Sequence, residues 1–144
     1  MKIKGQSLFE VIFAVGIAAL VLTGIVSAAS VAVRNSTFTR NNAQASKLAQ
    51  DVIEWLREER GKDWDQFATK AGNTYCVNDV PPTFTSPGVC TSTMTGLVFY
   101  REMKLTSLDV NTVEAEVSVN WADASGPHQV KTITRFTSWV KSLQ

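Results

Sequence analysis

The chain has few of the residues that enzymes commonly use for chemistry. Its 144 residues include one histidine, His128, and two cysteines, Cys76 and Cys90. No serine, cysteine or metal-ligand set with a signature spacing surrounds His128, which we interpret as a solvated residue in a turn beside Gly126-Pro127. Neither cysteine has a second metal ligand nearby, so we expect no metal site and no cofactor. We therefore predict that the chain is not an enzyme.

Net charge is also nearly absent. The 14 lysines and arginines almost balance 13 aspartates and glutamates, which gives a formal net charge of +1. Affinity for nucleic acids that is independent of base sequence comes mostly from neutralising phosphates, and a near-neutral chain has no such electrostatic surface. Nucleic acid is therefore not an expected partner. The length allows one membrane segment and one small domain.

Proline and strong turn signals are missing between Gly5 and Gly61. An apolar run from Leu8 to Val33 is long enough, at about 1.5 Å per residue, to cross a hydrocarbon core of about 30 Å. We predict one helix of about fifty residues that ends near Gly61, with a break in the polar stretch 34–42 as the alternative. Its second half is amphipathic because apolar residues recur there at spacings of three and four: Ala45, Leu48, Ala49, Val52, Ile53 and Leu56.

The segment 62–96 is rich in turn signals. It contains Pro81-Pro82, Pro87-Gly88 and both cysteines, and we interpret it as a long loop that connects elements without forming the core. An even number of cysteines beyond a membrane segment is typical of a disulfide in an oxidising compartment. We predict that Cys76 and Cys90 are joined, with a chain-entropy effect of roughly 3 kcal/mol.

Three strand-like runs follow, at 97–105, 113–121 and 129–140. The second is the clearest, since Val113 to Trp121 alternates apolar and polar residues with a period of two. In the first, Arg101 interrupts an otherwise apolar face. Short connections favour an antiparallel meander, and the only amphipathic helix available to cover it is Ala45 to Leu56. The predicted fold is α+β: a long N-terminal helix, with a membrane-spanning half and an amphipathic half, packed on a small C-terminal antiparallel sheet.

A single carboxylate, Glu10, lies near the start of the apolar run. A charge at the centre of a bilayer costs roughly 2.5 to 3.5 kcal/mol, so such a residue usually has a partner. Cleavage after Gly5 would give Gln6 a free α-amino group, which is largely cationic at neutral pH. Glu10 could then meet this amine or that of an adjacent chain. In an apolar bundle such a pair would penalise misaligned neighbours and so fix their register.

The start of the chain resembles a known signal. Lys-Ile-Lys-Gly, followed by Gln-Ser-Leu-Phe-Glu-Val and an apolar helix, is similar to the class III signal of type IV pilins and type II secretion pseudopilins. The resemblance implies that Gly5 ends a leader, that Gln6 is the first mature residue and the site of N-methylation, and that Glu10 is the assembly carboxylate. Two departures are Gln6 in place of the usual Phe, and the lack of the proline that many major pilins carry in this helix. The C-terminal strands look like the sheet of minor pilins and minor pseudopilins.

On this resemblance the chain divides into a leader (1–5), a hydrophobic helix (6–33), its amphipathic continuation (34–61) and a head (62–144) with a disulfide loop (76–90) and a sheet (about 97–140). The implied partners are prepilin peptidase, other pilin or pseudopilin subunits, an inner-membrane assembly platform and ATPase, and membrane lipid before assembly. The implied location is the cytoplasmic membrane, with one span and an extracytoplasmic head, and then a pilus or pseudopilus.

Several alternatives stay open. One alternative is a secretory signal with its cleavage site at Val26-Ser27-Ala28. Such signals have an uncharged apolar run of 7 to 15 residues, whereas the run here is longer and contains Glu10. An unprocessed signal anchor leaves Glu10 without a partner. The functional alternative is a membrane-anchored or secreted extracytoplasmic binding domain that never polymerises. We interpret the four tryptophans (Trp55, Trp64, Trp121 and Trp139) as core or half-buried packing. The remaining charged side chains are interpreted as solvated surface (Glu54, Arg57, Glu58, Asp63 and Asp65).

Overall fold

The computed structural model describes residues 8–138 and confirms the α+β class. Helix α1 (Leu8–Lys62) is followed by a short helix α2 (Trp64–Ala68) and four strands. The strands are β1 (Thr74–Cys76), β2 (Tyr100–Asp109), β3 (Thr112–Asp123) and β4 (Gly126–Thr137). By its contacts the chain divides into two units, Met1–Asn41 and Asn42–Gln144, and each is described by itself.

Helix α1 runs through the polar stretch 34–42 without the break that the sequence left open. Hydroxyl groups in and after this stretch bond to the helix itself: Thr39 Oγ1 donates to the carbonyl of Asn35 and Ser46 Oγ to that of Asn42, both at 2.8 Å. Such bonding satisfies the side chain without opening the helical turn. The helix ends at Lys62, and the Oδ1 of Asp63 then caps α2 by accepting from the backbone N–H of Gln66 at 3.0 Å.

In the N-terminal unit, every residue from 8 to 40 is exposed. Residues 8–33 form the strongly apolar part of α1. By length and composition the helix could cross a membrane. Its exposed large apolar side chains are Leu8, Phe9, Val11, Ile12, Phe13, Val15, Ile17, Leu20, Val21, Leu22, Ile25, Val26, Val31, Val33 and Phe38.

The head unit contains a four-stranded antiparallel sheet in the order β1-β2-β3-β4. In its register Val117 lies opposite both Met103 of β2 and Thr132 of β4. The β3–β4 connection is a tight turn that ends at Gly126, whose φ of +121° favours glycine. The predicted meander is therefore confirmed, although its first strand begins at Tyr100 and not at Leu97.

The distal part of α1 covers one face of this sheet, as predicted. The alternation in β3 is also as predicted, since Val113, Ala115, Val117, Val119 and Trp121 are all at most 3% exposed. From the helix, the buried residues are Ala45, Ala49, Val52, Ile53 and Leu56. These two apolar surfaces form one core because each would otherwise face water.

The segment 62–96 contributes to the core, so the prediction that it only connects elements was wrong. Phe67, Tyr75, Val77 and Met94 are all buried there. Thr74–Cys76 forms strand β1 against β2, with Tyr75 opposite Met103. A strand of three residues is too short to show a period of two in the sequence. The predicted three strands are therefore four.

Candidate functional site

Glu10 lies in the first turn of α1 and is exposed. Apolar side chains surround it: Phe9, Phe13, Ala14 and Ile17 line an open depression together with Glu10. The rings of Phe9 and Phe13 lie 6.1 Å apart, one helical turn from each other. Within residues 8–138, Glu10 makes no ion pair. A charged partner for this carboxylate would come from another part of the chain or from another molecule.

The other two residues of the predicted processing site, Gly5 and Gln6, lie outside the described residues. Cleavage after Gly5, methylation of Gln6 and the pairing of its amine with Glu10 therefore stay predictions. The same is true of Trp139, which the sequence placed in the core.

Two hydroxyl groups within the apolar run bond to backbone carbonyls of the same helix. Thr23 Oγ1 donates to the carbonyl of Ala19 at 2.8 Å, and Ser30 Oγ donates to that of Val26 at 2.9 Å. An unsatisfied hydroxyl group would be costly in an apolar environment. With these bonds made, the surface of α1 after Glu10 can enter lipid, or pack against similar helices, without leaving those donors unpaired.

The disulfide between Cys76 and Cys90 is confirmed, with an S–S distance of 2.06 Å. The loop that it closes is also fixed by hydrogen bonds to its surroundings. Cys90 N–H donates to Glu102 Oε1 at 3.0 Å, and Gly88 N–H donates to the carbonyl of Thr74 at 2.8 Å. The loop is thus held to strands β1 and β2 at several points.

A buried arginine is the main feature of the head that the sequence analysis did not interpret. Arg101 is 1% exposed and lies on the inner face of β2, between Phe99 and Met103. Its guanidinium group donates to three backbone carbonyls: Nε to Val77 at 2.9 Å, and the two terminal nitrogens to Asp79 at 2.6 Å and Leu48 at 3.4 Å. One side chain therefore joins β2, helix α1 and the disulfide loop.

Burial lowers the pKa of Arg101, while the carboxylates of Asp51 and Asp79 act in the opposite direction. The backbone N–H of Arg101 in turn donates to Asn78 Oδ1 at 2.8 Å, and Asn78 Nδ2 donates to the carbonyl of Ser92 at 2.7 Å. The carbonyl of Val77, a fully buried residue, is paired by this network, as buried backbone groups generally are. The sequence did indicate that Arg101 is buried, since this residue occupies an inward position in an alternating apolar run.

His128 is not in a turn, as the sequence suggested, but in strand β4 opposite Trp121. Its ring contacts that of Trp121 in a tilted arrangement with 5.3 Å between centroids, and its Nε2 lies 2.9 Å from Asp123 Oδ1. The hydrogen bond to His128, followed by that from the backbone N–H of Ser125, lowers the pKa of Asp123. The β3–β4 turn uses only the two residues between Asp123 and Gly126, so β4 begins early enough to include His128.

The three tryptophans that the structure describes take part in packing, as predicted. Trp55 contacts Phe84 with 4.8 Å between ring centroids, and Trp64 contacts Phe67 at 5.8 Å. Trp121 is 3% exposed and also contacts Phe99. These rings fill space between elements of the head.

No protein-family model, curated protein or solved structure matches the chain. The residues and their geometry therefore carry the functional argument.

Proposed function

We propose that the chain is a structural subunit of a pilin-like filament, a minor pilin or pseudopilin of a type IV pilus or a type II secretion-like machine. The observation that carries the proposal is the exposed apolar part of α1, residues 8–33, with one carboxylate in its first turn. The sequence signal at Gly5, Gln6 and Glu10 supplies the specific family.

An apolar surface of this extent needs a cover other than water. Soluble monomers rarely expose large contiguous apolar patches, and such patches usually mark membrane or protein contacts. A pilin-like subunit would use the same surface twice: against lipid before assembly, and against the helices of other subunits afterwards. The satisfied hydroxyl groups of Thr23 and Ser30 suit both environments.

The disulfide supports an extracytoplasmic head. Disulfides form and persist in oxidising compartments and are rare in the cytosol. The Cys76–Cys90 bond lies in the head unit, beyond the apolar part of α1. The proposed location is therefore a single span in the cytoplasmic membrane with the head outside, followed by incorporation into a filament. Prepilin peptidase and the assembly platform and ATPase would be its machinery.

The first prediction concerns processing. We expect the mature chain, isolated from membranes, to begin at Gln6, because the leader would be removed after Gly5. Intact mass and N-terminal peptide mass spectrometry measure this directly, and the same spectra report whether Gln6 carries a methyl group. A matched Gly5→Val variant should keep its leader. A mature chain that begins near Ala29 would instead establish ordinary secretion.

The second prediction concerns Glu10. The Glu10→Gln variant keeps the size of the side chain but removes its charge, so an amine buried in the filament would lose its partner. Breaking a buried ion pair costs about 3 kcal/mol or more, which corresponds to at least a hundred-fold loss of incorporation. Quantitative immunoblotting of sheared filaments against membranes measures this loss.

The control for this experiment is Glu58→Gln, which removes an exposed carboxylate from the distal part of the same helix. It should incorporate normally, and both variants should lose their leader normally. Normal filaments from Glu10→Gln would contradict the proposed role of the carboxylate.

A membrane-anchored binding domain that never polymerises is the alternative. Single cysteines introduced along the exposed part of α1 distinguish the two. Filament subunits should give disulfide crosslinks at a few specific pairs of positions, since the register is fixed. A lone anchor should give no position-specific pairs.

A further inference from the structure

Charged residues divide α1 into zones. From Val11 to Val33 there are 23 residues without a charge, bounded by Glu10 and Arg34. At 1.5 Å per residue this segment is about 35 Å long, slightly more than a hydrocarbon core of about 30 Å. A tilt of about 20°, which is usual for membrane helices, reduces the extent of the segment along the bilayer normal to about 33 Å.

The bounding charges then fall outside the hydrocarbon. Glu10 and Arg34 are separated by about 36 Å along the helix axis, which is more than the hydrocarbon thickness and less than the 40 to 45 Å that includes both headgroup layers. Each charge therefore lies in a headgroup layer when the helix spans the membrane. In the spanning helix neither charge lies in the lipid core, and the amine proposed as the partner of Glu10 is met in the filament.

The headgroup layer at the C-terminal end of the span faces only cationic side chains among the charged residues of α1. Between Glu10 and Asp51 the sequence has three cations, Arg34, Arg40 and Lys47, and no carboxylate. Arg34 and Arg40 are exposed and lie about 120° apart around the helix axis, so they face lipid on different sides. Arg40 is about 9 Å beyond Arg34, a distance that a long side chain can span by reaching back toward the interface. Lys47 is about 20 Å beyond Arg34, outside the headgroup layer.

We propose that Arg34 and Arg40 form a cationic collar that binds the phosphate groups of anionic phospholipids at the C-terminal end of the span. The proposal rests on the proposed membrane-spanning role of α1. The planar guanidinium group suits phosphate because it can donate two parallel hydrogen bonds. Since no carboxylate lies near the collar along the helix, these cations have no competing acidic partner there.

The test uses the full chain reconstituted in bilayers of phosphatidylcholine with a minor fraction of phosphatidylglycerol. Spin-labelled phosphatidylglycerol and spin-labelled phosphatidylcholine report which lipid is immobilised at the protein. A cation near an anionic surface gives roughly five-fold in binding, so we expect a clear several-fold preference for phosphatidylglycerol. High salt should reduce this preference.

Three variants identify the residues that cause the preference for phosphatidylglycerol. The double variant Arg34→Gln, Arg40→Gln should bind the two lipids about equally. The double variant Arg34→Lys, Arg40→Lys keeps both charges and should keep most of the preference for phosphatidylglycerol. Lys47→Gln is the matched control, because it removes a cation from nearly the same side of the helix as Arg40 but beyond the headgroups. An equal loss with Lys47→Gln would overturn the collar.

Hydrogen exchange of the same samples separates this proposal from the proposed function. Protected backbone amides at residues 11–33 without a phosphatidylglycerol preference would refute the collar and leave the span intact. Unprotected amides there would refute the span, and the collar with it.

Discussion

At the scale of single residues, Arg101 shows how a buried charge can hold a small domain together. Its guanidinium group is surrounded by backbone carbonyls from three parts of the head, and no carboxylate is within ion-pair distance in the described structure. Burying a charge is costly unless it is well hydrogen-bonded. The gain is that a single side chain fixes the loop after β1 against both the sheet and α1.

We predict that Arg101→Met destabilises the head by about 3 kcal/mol, because the buried carbonyl of Val77 would lose its donor and the partly buried hydrogen bond to the carbonyl of Asp79 would be lost. Urea unfolding followed by tryptophan fluorescence measures the change. Arg135→Met is the control: Arg135 pairs with Glu114 on the exposed face of the sheet, and its loss should cost less than about 1 kcal/mol. Equal effects of the two substitutions would show that burial of Arg101 is unimportant.

At the scale of elements, the long and periodic segments could be predicted from the sequence and the short ones could not. Helix α1 and strand β3 repeat their pattern often enough to determine both their type and their buried face. Strand β1 has three residues, and its pairing with β2 depends on a partner far along the chain. Arg101 was noticed but not understood, because the carbonyls that bind it come from segments whose proximity only the fold creates.

The functional residues divide in the same way. The pairing of Cys76 with Cys90 needed only an even count, and Glu10 was found as a lone carboxylate in an apolar run. His128 was misplaced because the sequence between Trp121 and Gln129 does not reveal how few residues the turn uses. The contact of His128 with Asp123 then follows from that turn.

The β3–β4 hairpin should lose stability in acid. The hydrogen bonds from His128 and Ser125 lower the pKa of Asp123 below its value in the unfolded chain. Such a group stabilises the fold at pH values above its unfolded pKa of about 3.9, and this stabilisation is lost as the pH falls through the lower, folded pKa.

Asp123→Asn should therefore be slightly less stable than the natural chain at pH 7, and the difference should disappear as the pH is lowered below about 4. Thermal unfolding of the natural chain and of the variant, from pH 7 to pH 2, measures how the stability of each depends on pH. A constant difference over this range would contradict the assigned role of the carboxylate.

At the scale of the whole molecule, the boundary between the two units falls inside α1, at Asn41 and Asn42. The head therefore includes a long helical segment that supplies one side of its core. The N-terminal unit has no core of its own within the described residues, since every residue from 8 to 40 is exposed.

We predict that a chain beginning at Asn42 is soluble, monomeric and cooperatively folded, because it keeps the buried residues Ala45 to Leu56 and lacks the exposed apolar run. A chain beginning at Asp63 should aggregate or stay unfolded, since the inner face of the sheet would lose its cover. Size-exclusion chromatography and thermal unfolding by circular dichroism distinguish the two outcomes. A folded protein from the shorter chain would show that the sheet does not depend on α1.

The sheet places its strands in the same order as the chain does, β1-β2-β3-β4. Each new strand pairs with the one synthesised immediately before it, and after β2 each pairing closes over a turn of two residues. On the proposed location outside the membrane, the head would emerge from its amino-terminal end and could build its sheet one strand at a time. The pairing of β1 with β2 should form most slowly, because segment 77–99 between them is the longest connection in the sheet. The disulfide between Cys76 and Cys90 closes part of this segment, so its formation shortens the loop that remains to be closed.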